Sequence, residues 1–587
     1  MGENNKIFLT GDKLLNAIES QTLKQSVKFH RRDFVEPLIK FCLDGNYTAR
    51  IGILFGLQST GKTVGMLQAA EDLISSGHKV AYARMIYWES GFRDVNSEML
   101  RLAGEGFTHF FINEAPYLSS FLTESEEWAD VFVPVHRIKI VISGTNNFAL
   151  WLAMNGEGVL YHRYVRFSTN LNTYPEFKRV CGKNFNEYKT KGGIFLSSEE
   201  DSITELMPDS QVFNYKSVEG YIQNAIANNL VQTLVDCIED NGYSCRNYYT
   251  DCLYAVDEQV IFKGIIGILK STAEGFIRRS FIQEANVKRI PDLEVIIGKW
   301  PNPDEQIDIT ERIARSIGIY QNSIKLCDPD DAVYALTAFL VKIGCLQKGS
   351  SGISDLIEPQ ESLYFAHNAL MNYAIKEATQ DILTLTGAGY EGFVEALKRA
   401  AEGAVNVNMV YFHLLLSVRG EEKMFRYRDP ENRKIDAVII DREAETLILI
   451  EVKNKTQINA IDVLSSEAEH LLDAAVLRNI SIGNSFSIAR VIIYNGKNSF
   501  VVSKEHSLLL INVEDFLEHH KDIGLYLDQM LGETKKFRKE GCLQTTIEEI
   551  PIFEEIQDFE VIAFSEYILS DTLDDEFESA IDDDIIG

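Results

Sequence analysis

The sequence predicts an α/β protein of several domains built around a parallel β-sheet, and three observations support this. Short apolar runs at 51–55, 79–86, 107–112 and 139–143 indicate buried strands, and helical stretches separate them. A glycine-rich segment follows the first run directly, and a second group of strand-like runs occupies 386–515. Because 587 residues exceed what one core accommodates, roughly two to four domains are expected.

The glycine-rich segment, GLQSTGKT, joins the first strand to a helix. Gly56 and Gly61 let the backbone curl so that successive N–H groups point inward at phosphate oxygens. Lys62 is placed to reach the β- and γ-phosphates, and Thr63 to ligate Mg²⁺, while the helix N-terminus adds partial positive charge. The pattern predicts a nucleoside-triphosphate site with ATP and Mg²⁺ as cofactors. Its expected contacts are Gly56, Gln58, Ser59, Thr60, Gly61, Lys62, Thr63 and Val64.

Polar residues follow the third and fourth strands of the predicted sheet. In such sites an acidic pair holds Mg²⁺ through water and polarises the attacking water, and here the pair is Asn113-Glu114. Glu114 keeps the position of the general base, whereas Asn113 provides no charge, so binding without rapid hydrolysis is the alternative. Thr145, at the tip of the fourth strand, is placed to contact the γ-phosphate or the lytic water. A plain strand-end turn is the competing interpretation of that residue.

Arg163 follows the fourth strand by some 20 residues. Oligomeric ATPases place there an arginine that stabilises transition-state charge in a neighbouring subunit. Arg163 is therefore a catalytic candidate, and an assembly of several copies is an expected consequence. An ordinary surface arginine is the equally weighted alternative.

A second chemical site is predicted in the runs KIDAVII and LILIEVK, which DREAET joins. If the hairpin turns at 443–444, Asp436 lies opposite Glu451, and cross-strand partners share a face about 5 Å apart. Lys453, two residues further, is on that face too. Two carboxylates and a lysine suit a divalent metal, with Asp436 and Glu451 as ligands and Lys453 orienting water or stabilising phosphorane charge. A solvated hairpin with charges on its wet face is the alternative.

The net charge is −30, and half of it lies from Gly541 onward, where 15 Asp and Glu and no Lys or Arg occur. This is not the composition of a protein that coats nucleic acid, so contact with DNA or RNA would be confined to a local channel. The acidic tail is expected to be solvated, or else to dock on a basic groove in the same chain or a partner. With no long apolar run, no signal-peptide pattern and scattered cysteines, we expect a cytoplasmic protein without membrane contact.

The stretches GLQSTGKT, FFINEAPYL, KIVISGTNNFALWLA and LYHRYVRF followed by NTYPEF resemble the bacterial AAA-family ATPases, related to archaeal-type and STAND NTPases, that carry a C-terminal PD-(D/E)xK nuclease-like domain. The resemblance covers about 25–180 and 330–515. It implies that Gly61, Lys62 and Thr63 form the phosphate loop, that Glu114 is catalytic and that Thr145 lies in the sensor segment. Arg163 follows the L-Y-x-R pattern, and Asn113 departs from the usual Asp. In the second domain, Glu391, Asp436, Glu451 and Lys453 fall on the nuclease positions.

These patterns predict a P-loop NTPase parallel sheet with a helical lid, a winged helix and a C-terminal restriction-endonuclease-like α/β domain. The predicted segments are an N-terminal helical segment (1–45), an ATPase core (46–180), a helical lid or linker (181–325), a winged helix (326–385), a nuclease-like domain (386–518) and an acidic tail (519–587).

The resemblance implies an ATP-binding AAA+/STAND-like ATPase that gates a metal-dependent nuclease domain acting on DNA or RNA phosphodiesters. The alternative is a nucleotide-gated scaffold or signalling switch whose nuclease-like domain binds without cutting. A DNA-moving motor is a third, weaker option.

Overall fold

A computed structural model describes much of the chain. The described residues are 7–21, 31–85, 91–156, 158–170, 173–194, 217–239, 248–253, 256, 258–284, 329–352, 360–386, 391–417, 423–428, 434–441, 446–457, 487–502, 507–519 and 548–549. Those up to Thr169 form one compact unit, and those from Asn170 onward belong to a second.

The first unit contains a six-stranded sheet in the order β1-β3-β4-β5-β2-β6. Five of its strands are parallel, and the edge strand β1 is antiparallel to β3. The predicted parallel sheet is confirmed, although the segment 1–45 contributes a short strand as well as helices. The strands are β1 (Leu9–Thr10), β2 (Ile51–Phe55), β3 (Val80–Arg84), β4 (His109–Asn113), β5 (Lys139–Ser143) and β6 (Tyr164–Ser168).

Helices cover both faces of this sheet, because its inner strands are apolar on both sides. On β2, Ile51 and Ile53 pack into one apolar cluster with Trp128 and Leu150, while Leu54 packs into another with Leu38. A 3-10 turn (Ala115–Tyr117) and a π-helical segment (Trp128–Phe132) complete the unit. Its α-helices are α1 (Gly11–Gln21), α2 (Val35–Leu43), α3 (Lys62–Ser75), α4 (Phe92–Gly104), α5 (Phe121–Glu124), α6 (Val133–His136) and α7 (Asn147–Met154).

The second unit contains a nine-stranded mixed sheet in the order β15-β13-β14-β12-β11-β10-β9-β7-β8. The strands are β7 (Leu346–Gly352), β8 (Gln360–Phe365), β9 (Lys423–Arg428), β10 (Lys434–Asp441), β11 (Thr446–Val452), β12 (Ser487–Tyr494), β13 (Ser499–Val502), β14 (Ser507–Asn512) and β15 (Glu548–Glu549). The order of helix, hairpin and helix that was predicted as a winged helix is present in the structure over 329–386. Its hairpin, β7–β8, pairs with β9, so the boundary predicted at 385/386 divides one continuous sheet.

Helices dominate the described part of the predicted lid and flank the second sheet. They are α8 (Tyr174–Cys181), α9 (Phe185–Lys191), α10 (Val218–Tyr221), a π-helical segment (Ile222–Ala227), α11 (Asn228–Glu239), α12 (Tyr248–Leu253), α13 (Glu258–Glu284), α14 (Pro329–Lys342), α15 (Asn368–Thr386), α16 (Glu391–Ser417) and α17 (Val513–Glu518).

Among the described helices, none combines the length and the apolar character that crossing a bilayer requires. Of the predicted acidic tail, the described part is His519 and β15, which pairs with β13. The proposed docking of the tail on a basic groove therefore concerns residues outside the described ones.

Candidate functional site

The phosphate loop connects β2 to α3 and contains two residues in the left-handed region. Gly61 has φ +86°, which glycine adopts without steric cost, and Ser59 has φ +60°. A left-handed residue placed among right-handed ones turns neighbouring backbone N–H groups to the same side, the arrangement that receives an anion. Gln58, Ser59, Gly61 and Thr63 are partly exposed, and Val64 lies exposed on the first turn of α3.

The side chain of Lys62 folds back and donates hydrogen bonds to the phosphate loop itself. Its Nζ donates to the carbonyl oxygens of Gly56 (2.5 Å) and Leu57 (2.7 Å), and only 5% of the residue is exposed. Burial lowers the pKa of Lys62 to about 8, although the charge of Glu114 opposes this shift. A buried cation beside an anion-receiving loop favours a negatively charged ligand.

A buried arginine supports the loop from the segment before α2. The guanidinium of Arg32 donates to the Thr60 carbonyl oxygen and, over 3.1 Å, to that of Thr169. The Thr60 and Thr169 hydroxyls lie 2.7 Å apart. Arg32 belongs to no recognised motif, and its one signal in the sequence is the pair Arg31-Arg32 directly before an amphipathic helix.

Asn113, the last residue of β4, lies beside the loop. Its Nδ2 donates to Thr63 Oγ1 and to the Tyr82 hydroxyl, both over 3.1 Å. Its Oδ1 accepts from Ser143 Oγ over 2.6 Å. The structure thus brings together the ends of β3, β4 and β5 and the start of α3, a place where parallel α/β sheets bind ligands.

Glu114 and Thr145 form the next contact along this edge. Glu114 has φ +61°, an uncommon conformation for a non-glycine residue that is often found at functional sites. Its Oε2 accepts from the Thr145 backbone N–H (2.7 Å) and from Thr145 Oγ1 (3.0 Å). Gly144 allows this approach, because a Cβ there would lie 2.6 Å from Pro116 Cδ. The two residues predicted to act on the γ-phosphate side are therefore adjacent.

Arg163 lies just before β6 and points to an acidic residue of its own chain. Its Nε lies 2.8 and 2.9 Å from the two carboxylate oxygens of Asp130. Both side chains are partly exposed. The proposed action of Arg163 in a neighbouring subunit stays a prediction.

In the second unit, the β10–β11 hairpin has the register on which the second site depends. The register runs from Asp441–Thr446 to Ala437–Ile450, and Asp436 and Glu451 are the next residues on the two strands. Asp436 Oδ2 accepts from the Val452 backbone N–H over 2.9 Å. The β9–β10 register shifts between Ile435 and Val438, so Asp436 lies in a β-bulge, a feature that re-aims side chains and is frequent beside active sites.

Glu451 and Lys453 form a buried ion pair at the end of β11. Lys453 Nζ lies 2.9 Å from Glu451 Oε2, with side-chain exposures of 18% and 3%. Glu451 continues the face that carries Leu447 and Leu449 in the apolar cluster of this sheet. One or two carboxylates with water ligands are a common Mg²⁺ donor set, so Asp436 and Glu451 fit such an ion. Within the described part of the chain, no group of three or more His, Cys, Asp or Glu residues is arranged to hold a metal.

Glu391 begins α16, and this helix contacts the hairpin from farther along its length. Asn454 Nδ2 donates to the Arg399 carbonyl oxygen (3.2 Å) and to Glu402 (3.3 Å). At about 1.5 Å of helical rise per residue, Glu391 begins the helix some 16 Å from Glu402. The assignment of Glu391 to the site of Asp436 and Glu451 stays a prediction.

Comparisons with known proteins add little to this geometry. No family model and no curated protein matches the chain. A crystal structure of Cdc6p from Pyrobaculum aerophilum is similar over 63% of this chain and 99% of its own, at 13% identity and a TM-score of 0.20. A TM-score this low carries no argument about fold or function.

Proposed function

We propose that the first unit binds ATP and acts as an AAA-type ATPase. One observation carries this proposal: the phosphate loop, Lys62, Asn113, Glu114 and Thr145 lie at one edge of a parallel sheet. In this scheme the loop N–H groups and Lys62 hold the phosphates, and Glu114 accepts a proton from the attacking water. Thr145 keeps the Glu114 carboxylate in place until the nucleotide binds.

ATP binding and hydrolysis by the full chain test this proposal, beside the variant Glu114→Gln. Gln keeps the size of the side chain but cannot accept the proton, so hydrolysis should fall about 100-fold or more while ATP affinity changes little. A chain that binds no nucleotide would rule the proposal out. Equal hydrolysis by both proteins would remove Glu114 from the mechanism.

We further propose that nucleotide state controls a metal-dependent nuclease in the second unit, acting on DNA or RNA phosphodiesters. The opposed carboxylates of Asp436 and Glu451, the bulge at Asp436 and the adjacent Lys453 support this. Asp436 and Glu451 would hold the cation, which when bound supplies Lewis acidity and lowers the pKa of water. The ammonium of Lys453 would stabilise charge on the phosphate under attack.

The test is cleavage of single- and double-stranded DNA and RNA with Mg²⁺ or Mn²⁺, with and without ATP. Lys453→Ala should abolish cutting. Lys455→Ala is the matched control, because Lys455 is exposed and only two residues away. Cutting that responds to ATP and needs Lys453 supports the gated nuclease, and equal loss in both variants would contradict a specific role for Lys453.

The second candidate function is a nucleotide-gated scaffold or signalling switch that binds nucleic acid or protein without cutting. Asn113 favours it, because a neutral amide at the end of β4 gives no charge for the hydrolytic step. ATP binding without cleavage under any of the conditions above would favour the switch. Strong stimulation of ATP hydrolysis by DNA would instead favour a motor.

A further inference from the structure

Arg84, the last residue of β3, lies next to Asn113 in the sheet. The register pairs Arg84 with Asn113 directly, and neighbouring strands lie about 4.8 Å apart. Tyr82, two residues earlier, shares a face with Arg84, and its hydroxyl accepts from the same Asn113 amide that contacts Thr63. Arg84 therefore belongs to the edge of the sheet at which the phosphate loop lies.

The guanidinium of Arg84 carries one donor, Nε, that is shielded from solvent although the residue is partly exposed. This Nε has no hydrogen-bond partner among the described residues. Burial raises the pKa of Tyr82 to about 12, and the charges of Arg84 and Glu114 both act on that hydroxyl. Shielding a charged donor from water without an acceptor costs free energy. The position therefore favours a ligand that supplies the acceptor.

The charges around the phosphate loop are mostly positive. Lys62 and Arg32 contact the loop, Arg84 lies at the same edge of the sheet, and Glu114 contributes a negative charge. The position from which an acidic side chain would hold Mg²⁺ through water carries the neutral Asn113, with a cation as its neighbour. Mg²⁺ prefers carboxylate oxygens and bound water, so this donor set does not fit a magnesium ion held by the protein beyond Thr63.

We propose that Arg84 contacts the terminal phosphate of bound nucleotide, so that the site accepts metal-free ATP almost as well as Mg²⁺-ATP. This rests on the proposed ATP binding and specifies the form of the ligand. An arginine stays charged at every physiological pH and presents five donors whose geometry matches phosphate oxygens. Charge that Mg²⁺ commonly neutralises is here neutralised by the guanidinium.

The experiment is titration of fluorescently labelled ATP into the full chain, in MgCl₂ and in EDTA. The wild-type affinity should differ by less than about threefold between the two buffers. Arg84→Gln should weaken binding in EDTA about tenfold, because a charge-assisted contact to phosphate is lost, and Arg84→Lys should recover part of it. Arg93→Gln is the matched control, since Arg93 is exposed on α4 and should leave both affinities unchanged.

Asn113→Asp provides the reciprocal variant. It restores a carboxylate beside Thr63, so binding should become at least about tenfold tighter in MgCl₂ than in EDTA. Thermal melting of each variant verifies that it is folded.

Three outcomes distinguish a failure of this inference from a failure of the proposed ATP binding. Wild-type binding that EDTA abolishes would overturn metal-free binding while leaving ATP binding intact. Unchanged affinity in Arg84→Gln would remove Arg84 from the site. No binding in either buffer would overturn the proposed function and this inference together.

Discussion

The two candidate sites differ in the sign of the charge that each gathers. Around the phosphate loop, Lys62, Arg32 and Arg84 outnumber Glu114, whereas Asp436 and Glu451 outnumber Lys453 on the β10–β11 hairpin. A surplus of buried cations favours an anionic ligand, and a surplus of carboxylates favours a divalent cation. This difference in charge supports the proposals that the first unit binds phosphate and that the second binds a divalent cation. The predictions below test that contrast, beginning with the largest effect.

Lys62→Met should separate ligand binding from stability in the first unit. ATP affinity should fall about 100-fold, equivalent to about 2.7 kcal/mol, because the ammonium that contacts the phosphates is gone. The free energy of unfolding at pH 7 should not fall, since the lowered pKa of Lys62 means that the folded state disfavours its charged form. Isothermal titration and denaturant unfolding measure the two quantities. Lys79→Met, at the opposite edge of the sheet, is the control and should bind ATP normally.

Lys453→Met should lower the stability of the second unit, whereas Lys62→Met should not lower that of the first. It leaves the nearly buried Glu451 carboxylate without its ion-pair partner, at a cost of about 2 kcal/mol of local stability. Adding Glu451→Gln should recover most of that loss. Amide hydrogen exchange in β10 and β11 reports on this unit separately. Equal protection in the wild type and in Lys453→Met would show that the pair does not stabilise the hairpin.

The difference between the sites also explains what the sequence could predict. The phosphate loop is contiguous, and parallel strands bring their ends to one edge, so Lys62, Glu114 and Thr145 could be placed from the motif and the strand pattern alone. The placement of Asp436 and Glu451 at the same end of the hairpin followed from counting residues across its turn. The contacts of Arg32 and Arg84 were not predicted, because neither arginine belongs to a motif and only the folded chain shows which residues lie beside them.

The continuity of the second sheet was not predictable for a related reason. The hairpin β7–β8 has the local pattern of a separate module, whereas its pairing with β9 joins residues more than 70 positions apart. Such pairing leaves no periodic signal in the sequence. The bulge at Asp436 also leaves no pattern in the sequence, because it depends on the register between β10 and β9.

Lowering the pH should reduce the free energy of unfolding of the first unit through His109, which lies at the other end of β4 from Asn113. His109 begins β4; its Nε2 donates to the Cys42 carbonyl oxygen (3.0 Å), and its Nδ1 accepts from the Thr108 hydroxyl (2.9 Å). Burial lowers the pKa of His109 to about 4. Because the unfolded chain binds the proton more readily, the stabilising contribution is complete above pH 6.5 and decreases as the pH falls towards 4.

The expected loss is about 1–2 kcal/mol between pH 7.5 and pH 5, and His109→Gln should remove this part of the pH dependence. Gln keeps a donor for Cys42 but does not titrate. Denaturant unfolding followed by tryptophan fluorescence, to which Trp128 and Trp151 contribute, measures the difference. Identical pH profiles for the two proteins would show that His109 is not the sensor.

The smallest effect concerns Arg163 and distinguishes a structural role from a catalytic one. Its ion pair with Asp130 is partly exposed, so Asp130→Asn should lower the stability of the first unit by less than about 1 kcal/mol. If Arg163 acts on nucleotide held by a neighbouring copy, Arg163→Lys should reduce ATP hydrolysis without changing ATP affinity. Asp130→Asn should then leave hydrolysis unchanged or raise it, because Arg163 is released from its partner. Equal hydrolysis in all three proteins would show that Arg163 takes no part in hydrolysis.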